Sequence, residues 1–566
     1  MFRFVSRPAT PRTARRRRLA RALALALCAN AAQANTYSAS TEAELIQAIN
    51  DANVNAGADT INVTTDITLT AALPVITGAL TIQGSGGHHA IRRDDTGTNA
   101  CSPTATNAFR LIDAGADLTL NDLTLSGGCN LVDQGGAVRV QNATLTVARS
   151  TISGNETFFP DPAAYCYGQC IGGGLAVLQG SASVTDSLIA DNTANGYLGS
   201  GGGIAVYQGE LTLAHSTVSG NHAEGGAGSS GGGVYVAGAY PNGPAGSLTV
   251  TGSVISGNVS HSDGAFGGGA EAYIADVTLS DSVVSGNQAN GGSNARGGGV
   301  VVQNFQFATS ALIQRTLISG NAITGSQGFG AGIDAAGVPL DLRDSTVANN
   351  TVTGDAKARA GALMIENTVV TVSNSTLSGN SINAPTSGGG AVMVDTDQSV
   401  TASLVLRNST LTGNSSNNTG AGIYLKRDTP TAAAPTASIE SSIIAGNQGA
   451  NGLDAIGAEP ATPAAVTTDH ALIQGAASVG TGTLSLDATT LSLWNADPQL
   501  LPLAYNGGRT PTHALAATSP AIDRGTNSQN LANDQRGGGY ARAVGAAPDV
   551  GAYEFDPDRI YSDGFE

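Results

Sequence analysis

Apolar residues along this chain occur in pairs two positions apart, and the pairs return at intervals of 29 to 37 residues. One repeated phrase marks the register: STVSGN, SVVSGN or a close variant, always ending in asparagine. The position three residues before that asparagine is aliphatic in all ten copies. The ten asparagines are Asn155, Asn192, Asn221, Asn258, Asn287, Asn321, Asn350, Asn380, Asn414 and Asn447.

Two further apolar columns accompany each phrase. Leu211 and Leu213 lie ten and eight residues before Asn221, and Ile204 and Val206 follow the glycine cluster of the same repeat. A separation of two places alternate side chains on one face of a strand, whereas helical spacing fits none of these runs. The predicted fold class is therefore all-β: a right-handed single-stranded parallel β-helix with three short strands per coil and one variable connection after the asparagine.

The asparagine column is predicted to be structural. Stacked coils lie about 4.8 Å apart, so equivalent side chains form columns, and buried amides at a turn can bond one another and unpaired backbone groups. Six residues before the asparagine a polar column includes Asp281, Arg315 and Asp344 on consecutive coils. That order predicts a ladder of salt bridges rather than a catalytic site.

The two ends of the chain differ from the repeats. After a capping box of Thr41 and Glu44, Leu45, Ile46 and Ile49 have helical spacing, which predicts a short N-terminal cap helix over the first coil. The predicted division is a signal peptide at 1–34, an N-terminal cap and first coils at 35–115, β-helix repeats at 116–480, a C-terminal region at 481–556 and a tail at 557–566.

The first 34 residues have the features of a secretory signal. Four arginines at 15–18 precede a mostly Ala and Leu run at 19–28, and Ala32–Gln33–Ala34 fits a cleavage site. We expect cleavage after Ala34; the arginines leave a twin-arginine route open. The apolar run is too short to span a bilayer and no later run is long enough, so no transmembrane segment is predicted in the mature chain.

Composition and charge exclude some classes of binding partner. The chain has 76 glycines, 4% aromatic residues and 41% hydrophobic residues, as a long, thin aliphatic core with many turns would require. Eight of the 26 basic residues belong to the signal. The mature chain therefore has 18 basic and 43 acidic residues, which gives a formal charge of −25. Such a chain repels nucleic acid and anionic lipid, and neither is expected as a partner.

Four cysteines remain after processing, Cys101, Cys129, Cys166 and Cys170. An even number in an exported chain suggests disulfides, with three possible connectivities. We expect Cys101–Cys129 to link successive early coils and Cys166–Cys170 to close a surface loop. No histidine cluster accompanies them at zinc spacing, so neither a metal site nor a cofactor is predicted.

The glycine–aliphatic and S-x-N phrases resemble bacterial parallel β-helix repeat proteins, which include secreted adhesins. Over roughly residues 495–555, the phrases DPQLLPLAYNGGRTPTHAL, SPAIDRG, DQRGGGYAR and DVGAYEF resemble the choice-of-anchor Q domain. The tail RIYSDGFE is similar to short C-terminal tails of exported bacterial proteins. The resemblance implies export or retention at the cell surface, but it supplies no enzymatic activity.

Parallel β-helices also carry polysaccharide lyases and glycoside hydrolases, which stay the alternative function. Those chemistries need clustered carboxylates, and the repeats show no phrase that supplies them. His513 lies in the C-terminal region with Asp523, Asp534 and Arg536, to which we assign turn and cap hydrogen bonding. No catalytic residue is predicted.

The variable connection carries the candidate contact residues. Its longest copy, ETFFPDPAAYCYGQC, contains Phe158, Phe159, Tyr165 and Tyr167, and Tyr197 lies in the next coil. Rings on one edge can stack on sugars or contact another surface protein, although they can equally cover the core and fill loops. The predicted function is adhesion or contact with extracellular matrix or polysaccharide, without catalysis.

Overall fold

The computed structural model describes residues 33–94, 101–102, 105–158, 171–239, 243–304, 308–398, 400–477, 479, 481–485 and 491–558. Within them, parallel sheets stack as a β-solenoid of about 12 turns with one helix, which confirms the predicted all-β fold of a parallel β-helix repeat protein. The predicted signal up to residue 32 and the tail from residue 559 lie outside the described residues.

The helix spans Glu42–Val54 and covers the start of the solenoid, where the cap was predicted. The Thr41 hydroxyl accepts from the Glu44 backbone N–H at 3.3 Å, and the Glu44 carboxylate accepts from the Ser40 backbone N–H at 2.7 Å. Leu45 and Ile49 are fully buried and belong to the main core. The capping box therefore fixes where the helix begins, and its apolar stripe closes the first coil.

Each middle coil contributes one strand to each of four parallel ladders, named in chain order. Ladder 1 contains the Leu211 type of strand, ladder 2 the strand before the asparagine, ladder 3 the segment after it, and ladder 4 the strand after the glycines. Ladders 3 and 4 join where Gln448–Gly449 pairs antiparallel with Gly452–Ala458. The described residues thus form large sheets of 16, 15 and 25 strands and one two-stranded sheet.

The strands of ladder 1 are Thr36–Ala39, Asp59–Val63, Leu80–Gly84, Leu118–Asn121, Thr144–Ala148, Ser181–Thr185, Glu210–Ala214, Gly246–Thr251, Ala275–Ser280, Ala311–Gln314, Leu340–Arg343, Val369–Ser373, Ser403–Arg407, Thr436–Glu440, Ala465–Asp469 and Thr483–Ser485. Those of ladder 2 are Ile67–Leu69, His89–Arg93, Leu123–Ser126, Thr151–Ser153, Leu188–Ala190, Thr217–Ser219, Val254–Ser256, Val283–Ser285, Leu317–Ser319, Thr346–Ala348, Thr376–Ser378, Thr410–Thr412, Ile443–Ala445, Leu472–Ile473 and Leu493–Trp494.

Ladder 3 comprises Cys129–Asn130, Glu156–Phe158, Thr193–Ser200, His222–Ser230, Val259–Phe266, Gln288–Arg296, Ala322–Phe329, Thr351–Arg359, Ser381–Asn383, Thr386–Gly388, Ser415–Ser416 and Gln448–Gly449. Ladder 4 comprises Ile112–Ala114, Val138–Gln141, Leu175–Leu178, Ile204–Tyr207, Val234–Ala237, Ala270–Tyr273, Val300–Gln303, Ile333–Ala336, Leu363–Glu366, Val392–Thr396, Ile423–Arg427, Gly452–Ala458 and Ala476–Ala477. The two-stranded sheet pairs Leu500–Ala504 with Thr512–Leu515.

Ladder 3 is a fourth strand of the coil, where the sequence predicted three strands and a variable connection. The predicted columns correspond to ladders 1, 2 and 4, but the variable connection is itself a strand in most middle coils, such as Thr193–Ser200. Its backbone bonds to the equivalent backbone one coil on, and differences in length are absorbed as irregular register, for example between Gly196 and Leu198. A ladder needs backbone groups rather than particular side chains, so unlike sequences can pair here.

The corners between ladders explain the conserved spacing within each repeat. Asp281, Arg315 and Asp344 all have left-handed backbones, with φ of 53°, 48° and 51°. Gly286, directly before Asn287, has a φ of 63°. A Cβ added to Gly269, the last glycine of the cluster, would lie 3.0 Å from Asn287 Cγ, so only a small residue fits against the asparagine.

The ten asparagines form one buried column along the corner between ladders 2 and 3. At each step the backbone N–H and the side-chain Nδ2 of one asparagine donate to Oδ1 of the next; for Asn258 and Asn287 the distances are 3.0 and 2.9 Å. The Nδ2 of Asn287 also donates to the carbonyl of Ile255 at 3.0 Å. A parallel column of hydroxyls lies five residues upstream, where the Ser187 backbone N–H donates to Ser216 Oγ at 3.1 Å.

The C-terminal region folds back along the outer face of ladder 2 rather than covering only the end of the solenoid. Thr346 Oγ1 donates to the Pro511 carbonyl and Thr376 Oγ1 to Gln535 Oε1, both at 2.6 Å. Two coils further on, the Gly551 backbone N–H donates to the Ser441 carbonyl at 2.9 Å. These contacts bury the outer face of ladder 2 in the later coils.

Candidate functional site

The candidate site is an edge of the solenoid where ladder 3 lies over the outer face of ladder 4. In ladder 3, Arg296, Phe329 and Arg359 occupy the same register position on three consecutive coils. The guanidinium carbons of Arg296 and Arg359 lie 5.2 and 5.3 Å from the centre of the Phe329 ring. Lys357 Nζ lies 6.0 Å from the same ring centre. These distances are within the range of cation–π attraction, so three cations contact the half-buried ring.

Carboxylates from ladder 4 neutralise both arginines. Arg296 Nε donates to Asp334 Oδ2 at 2.5 Å, and its Nη2 pairs with Glu366. Asp334 is fully buried, and burial raises its pKa to about 6 although the Arg296 charge opposes that shift. Removing one partner of such a pair leaves an uncompensated buried charge, so the pairs fix the edge in one arrangement.

The second arginine has its own acidic partners. Arg359 pairs with Asp395 and lies 3.3 Å from Asp428, and Lys426 also pairs with Asp428. Asp395 is 1% exposed, and burial raises its pKa more than Arg359 lowers it. The edge therefore contains two adjoining ion-pair groups on either side of one aromatic ring.

A further buried acid lies at the same register position as Asp334. Glu271 aligns with Val301 on the next coil, and Val301 aligns with Asp334. Its Oε1 accepts from Gln303 Nε2 at 2.6 Å. Burial raises the pKa of Glu271 to about 7, against hydrogen bonds from Ser230 and Gln303 that favour the charged form.

The predicted contact residues lie toward the beginning of the same edge, as far as they are described. Phe158 ends the strand Glu156–Phe158 and pairs with Asn195, two residues before Tyr197, so these two half-buried aromatics stand on neighbouring coils of ladder 3. A Cβ on Gly226 of the next coil would lie 3.4 Å from Tyr197 Cδ2. The remaining predicted aromatics and two cysteines lie outside the described residues: Phe159, Tyr165, Tyr167, Cys166 and Cys170.

The ion-pair groups were not predicted from the sequence. Asp334 and Asp395 stand inside short apolar runs, GIDAAG and AVMVDT, and this interruption is the signal that marks them. Half-buried Tyr207 and Tyr235, which pack on Ala176 and Ala205 at the outer face of ladder 4, were also missed. Because successive side chains of a strand point to opposite faces, these outward positions are expected to face solvent. They are interior only because ladder 3 covers that face of ladder 4.

One disulfide, Cys101–Cys129, is present with Cα atoms 5.4 Å apart, as predicted. Within the described ranges, no group of three or more His, Cys, Asp or Glu side chains is arranged to hold a metal ion. No helix in that part of the chain is both long and apolar enough to cross a bilayer.

Comparison with known proteins adds no relative. No protein-family profile matches the chain. No curated protein is significantly similar to it. No solved structure matches it significantly either.

Proposed function

We propose that this chain is an exported, surface-associated protein without catalytic activity that contacts an extracellular glycan through the edge of ladders 3 and 4. The carrying observation is the series of half-buried rings along ladder 3, with Phe158, Tyr197 and Phe266 on different coils. A half-buried ring packs one face on the protein and offers the other to a sugar. A series along the solenoid axis suits an extended polymer, such as matrix polysaccharide, better than a small ligand.

The charged groups of the edge favour binding over hydrolysis. Asp334 and Asp395 are each engaged by an arginine, whereas glycoside hydrolysis requires one carboxyl poised as acid and another as base or nucleophile. Glu271 has the raised pKa of a general acid, but its side chain is 2% exposed, so a substrate oxygen has no approach to it. A lyase or hydrolase is the alternative.

The C-terminal region supports the exported part of the proposal. The phrases DQRGGGYAR and DVGAYEF form one buried network, in which Arg542 Nη2 lies 3.0 Å from Glu554 Oε2 and the Glu554 backbone N–H donates to Asp534 Oδ2 at 2.8 Å. Arg536 lies between the rings of Tyr540 and Tyr553. Such mutual dependence is expected if these phrases constitute a choice-of-anchor Q domain.

Export and location follow from the same proposal. Cleavage after Ala34 would release a mature chain into an oxidising compartment, with which the Cys101–Cys129 disulfide is compatible. Another surface protein is the second kind of partner that exposed rings could contact. The mature chain would then be retained at the surface or released.

A polysaccharide array probed with the mature protein tests the proposal. The double variant Phe158→Ala/Tyr197→Ala should weaken retention by about ten-fold or more, because both ring faces are lost. The control Tyr505→Ala removes a ring that is 61% exposed in the C-terminal region and should leave retention unchanged. No retained polysaccharide, or equal retention by the double variant, contradicts the proposal; chain cleavage, with or without calcium, supports the alternative.

A further inference from the structure

The dipeptide Asn–Gly occurs five times in the chain, with the asparagine at positions 195, 242, 290, 451 and 506. In this dipeptide the backbone nitrogen of the glycine can attack the side-chain carbon of the asparagine, because glycine has no Cβ to obstruct the approach. The attack needs a free side-chain amide, rotation about the asparagine Cα–C bond and access to water. The local structure therefore decides which of these asparagines can react.

Asn451 lies in an exposed turn near the end of the solenoid. Gly449 pairs antiparallel with Gly452, so Ala450 and Asn451 form the turn between the two strands. Asn451 is exposed, and its side chain forms no hydrogen bond within the described structure. Gly452 is exposed as well, and no atom lies within 4 Å of the position that a Cβ would occupy there. A groove of about 280 Å³ adjoins both residues, so the turn has room to rotate and water reaches it.

The same dipeptide is held inside paired strands at two other places. Asn195 and Asn290 lie in strands of ladder 3 that pair with a neighbouring strand on each side. An extended, paired strand fixes the torsion about the asparagine Cα–C bond, and ring closure requires that torsion to change. Asn290 Oδ1 also accepts from Thr324 Oγ1 at 2.8 Å. Neither asparagine can therefore react unless its strand opens.

Asn506 lies outside the strands, as Asn451 does, but its side chain is bound. Its Nδ2 donates to the Thr512 carbonyl at 2.9 Å and to Thr512 Oγ1 at 3.0 Å. A Cβ on Gly507 would overlap the Tyr540 hydroxyl, so this glycine is packed against the C-terminal region. Asn506 is therefore a matched control, with the same dipeptide and a restrained amide. The remaining asparagine, Asn242, lies outside the described residues.

We propose that Asn451 is a site of spontaneous deamidation, in which the Gly452 backbone nitrogen is the nucleophile. This nitrogen loses its proton to solvent and forms a bond to Asn451 Cγ, and the side-chain nitrogen takes up a proton and leaves as ammonia. The resulting succinimide ring consumes one water molecule when it opens. Opening at one carbonyl gives an aspartyl residue, and opening at the other gives an isoaspartyl residue.

The product changes the place where ladders 3 and 4 join. Either form adds a carboxylate to a hairpin that already contains Asp454, whose Oδ2 accepts from the Gly420 backbone N–H at 2.6 Å. The isoaspartyl form also lengthens the backbone by one carbon between residues 451 and 452. Gly449 and Gly452 cannot then keep their present register, so the hairpin that joins the two ladders should loosen.

Peptide mapping by mass spectrometry tests the site on the folded full-length protein. Samples are incubated at mildly alkaline and mildly acidic pH, and the aspartyl and isoaspartyl products are separated by chromatography. The peptide with Asn451 should lose its amide first, and faster at alkaline pH because the deprotonated nitrogen is the nucleophile. The peptides with Asn195, Asn290 and Asn506 should keep theirs until most of the Asn451 peptide is converted. Asn451→Gln should not convert, since its longer side chain cannot close the same ring.

A sample unfolded in urea is the control for the role of the structure. The peptides with Asn195, Asn290, Asn451 and Asn506 should then convert at similar rates, because no strand or hydrogen bond restrains them. If the folded protein keeps the Asn451 amide while the unfolded protein loses it, the proposal is overturned. Conversion of Asn506 as fast as Asn451 in the folded protein overturns it too.

Hydrogen exchange tests the structural consequence. Wild type that has been incubated until Asn451 is converted should exchange faster over residues 448–458 than equally incubated Asn451→Gln, because the hairpin has lost its register. Exchange over the asparagine column of the earlier coils should be the same in both samples. Equal exchange over the hairpin would contradict the expected loosening.

Discussion

Replacing Asn287 by alanine removes four hydrogen bonds from the middle of the asparagine column. The Nδ2 of Asn287 donates to the Ile255 carbonyl at 3.0 Å and to Asn321 Oδ1 at 2.9 Å. Its Oδ1 accepts from the backbone N–H of Asn258 at 3.0 Å and from Asn258 Nδ2 at 2.9 Å. All three partner residues are fully buried, so water does not replace the lost bonds.

The loss of stability in Asn287→Ala depends on which buried polar groups lose their partners. The Asn258 backbone N–H loses its acceptor entirely, and a buried donor in that state costs about 1–3 kcal/mol. The other three lost bonds contribute about 1 kcal/mol each, because Asn258 Nδ2 and Asn321 Oδ1 keep other partners. Asn287→Ala should therefore lower the free energy of unfolding by about 4–6 kcal/mol.

Two comparison variants make the measurement specific. Asn447 ends the column, and its side chain makes three hydrogen bonds instead of four, so Asn447→Ala should be less destabilising by about 1 kcal/mol. Asn451 lies in an exposed turn and has no hydrogen bond within the described structure, so Asn451→Ala is the control. Urea unfolding followed by circular dichroism gives the stabilities, and hydrogen exchange locates the loss, since coils of a solenoid can open locally.

Refutation requires one of two results. If Asn287→Ala unfolds within about 1 kcal/mol of Asn451→Ala, the column contributes no more than surface turns do. If hydrogen exchange increases equally in all coils, the bonds of Asn287 are not local to their own corner. Either result would contradict the view that buried amides hold successive coils in register.

Two further predictions concern Glu271 and the disulfide. Burial raises the pKa of Glu271 from 4.5 to about 7, so ionisation of this carboxyl destabilises the folded chain as pH rises through that window. Glu271→Gln should therefore be more stable than wild type by up to about 3 kcal/mol at pH 8 and equal to it near pH 4. Urea midpoints at both pH values check this, and an equal gain at both would contradict it. Cys101→Ser opens the 28-residue loop to Cys129 and should lower stability by about 3 kcal/mol. Reductant should bring wild type to the same midpoint and leave the variant unchanged; a wild type insensitive to reductant contradicts the prediction.

The interior of the solenoid was predictable because each coil repeats the same demands. Leu211 and Leu213 face the core, as their spacing of two requires, and Val218 fills the third side. The polar column was predicted only in part. Arg315 pairs with Asp281 through two hydrogen bonds of 2.9 and 2.7 Å, but Asp344 accepts from Asn374 Nδ2 instead.

What the polar column shares is a left-handed backbone, a conformation that Asn, Asp and His tolerate better than most residues. The predicted salt-bridge ladder depended on the charges of these side chains, whereas the corner imposes a backbone geometry. Opposite charges therefore follow one another on consecutive coils at only some corners. The backbone requirement holds at all of them.

The return of the C-terminal region and the burial of the outer face of ladder 4 depend on contacts that no local repeat period encodes. The return of the C-terminal region joins Gln535 to Thr346, which are 189 residues apart. Similarly, Asp334 alternates as an outward residue of its strand, and its burial results from ladder 3 packing over that face. Pairing between unlike connections follows from backbone geometry, so composition gives little indication of it.

Two columns of the same solenoid differ in how uniform their residues are, and the difference has a physical cause. The corner column repeats asparagine ten times because each coil has the same unpaired backbone groups to satisfy. At the end of the ladder 3 strands, one register position carries Arg296, then Phe329, then Arg359. Packing alone would favour one residue type there as well, as it does at the corner. The difference follows from the largely buried carboxylates Asp334, Glu366 and Asp395, which the two arginines neutralise, so the residue type at this position is set by the acidic partner on ladder 4 and not by the backbone of the corner.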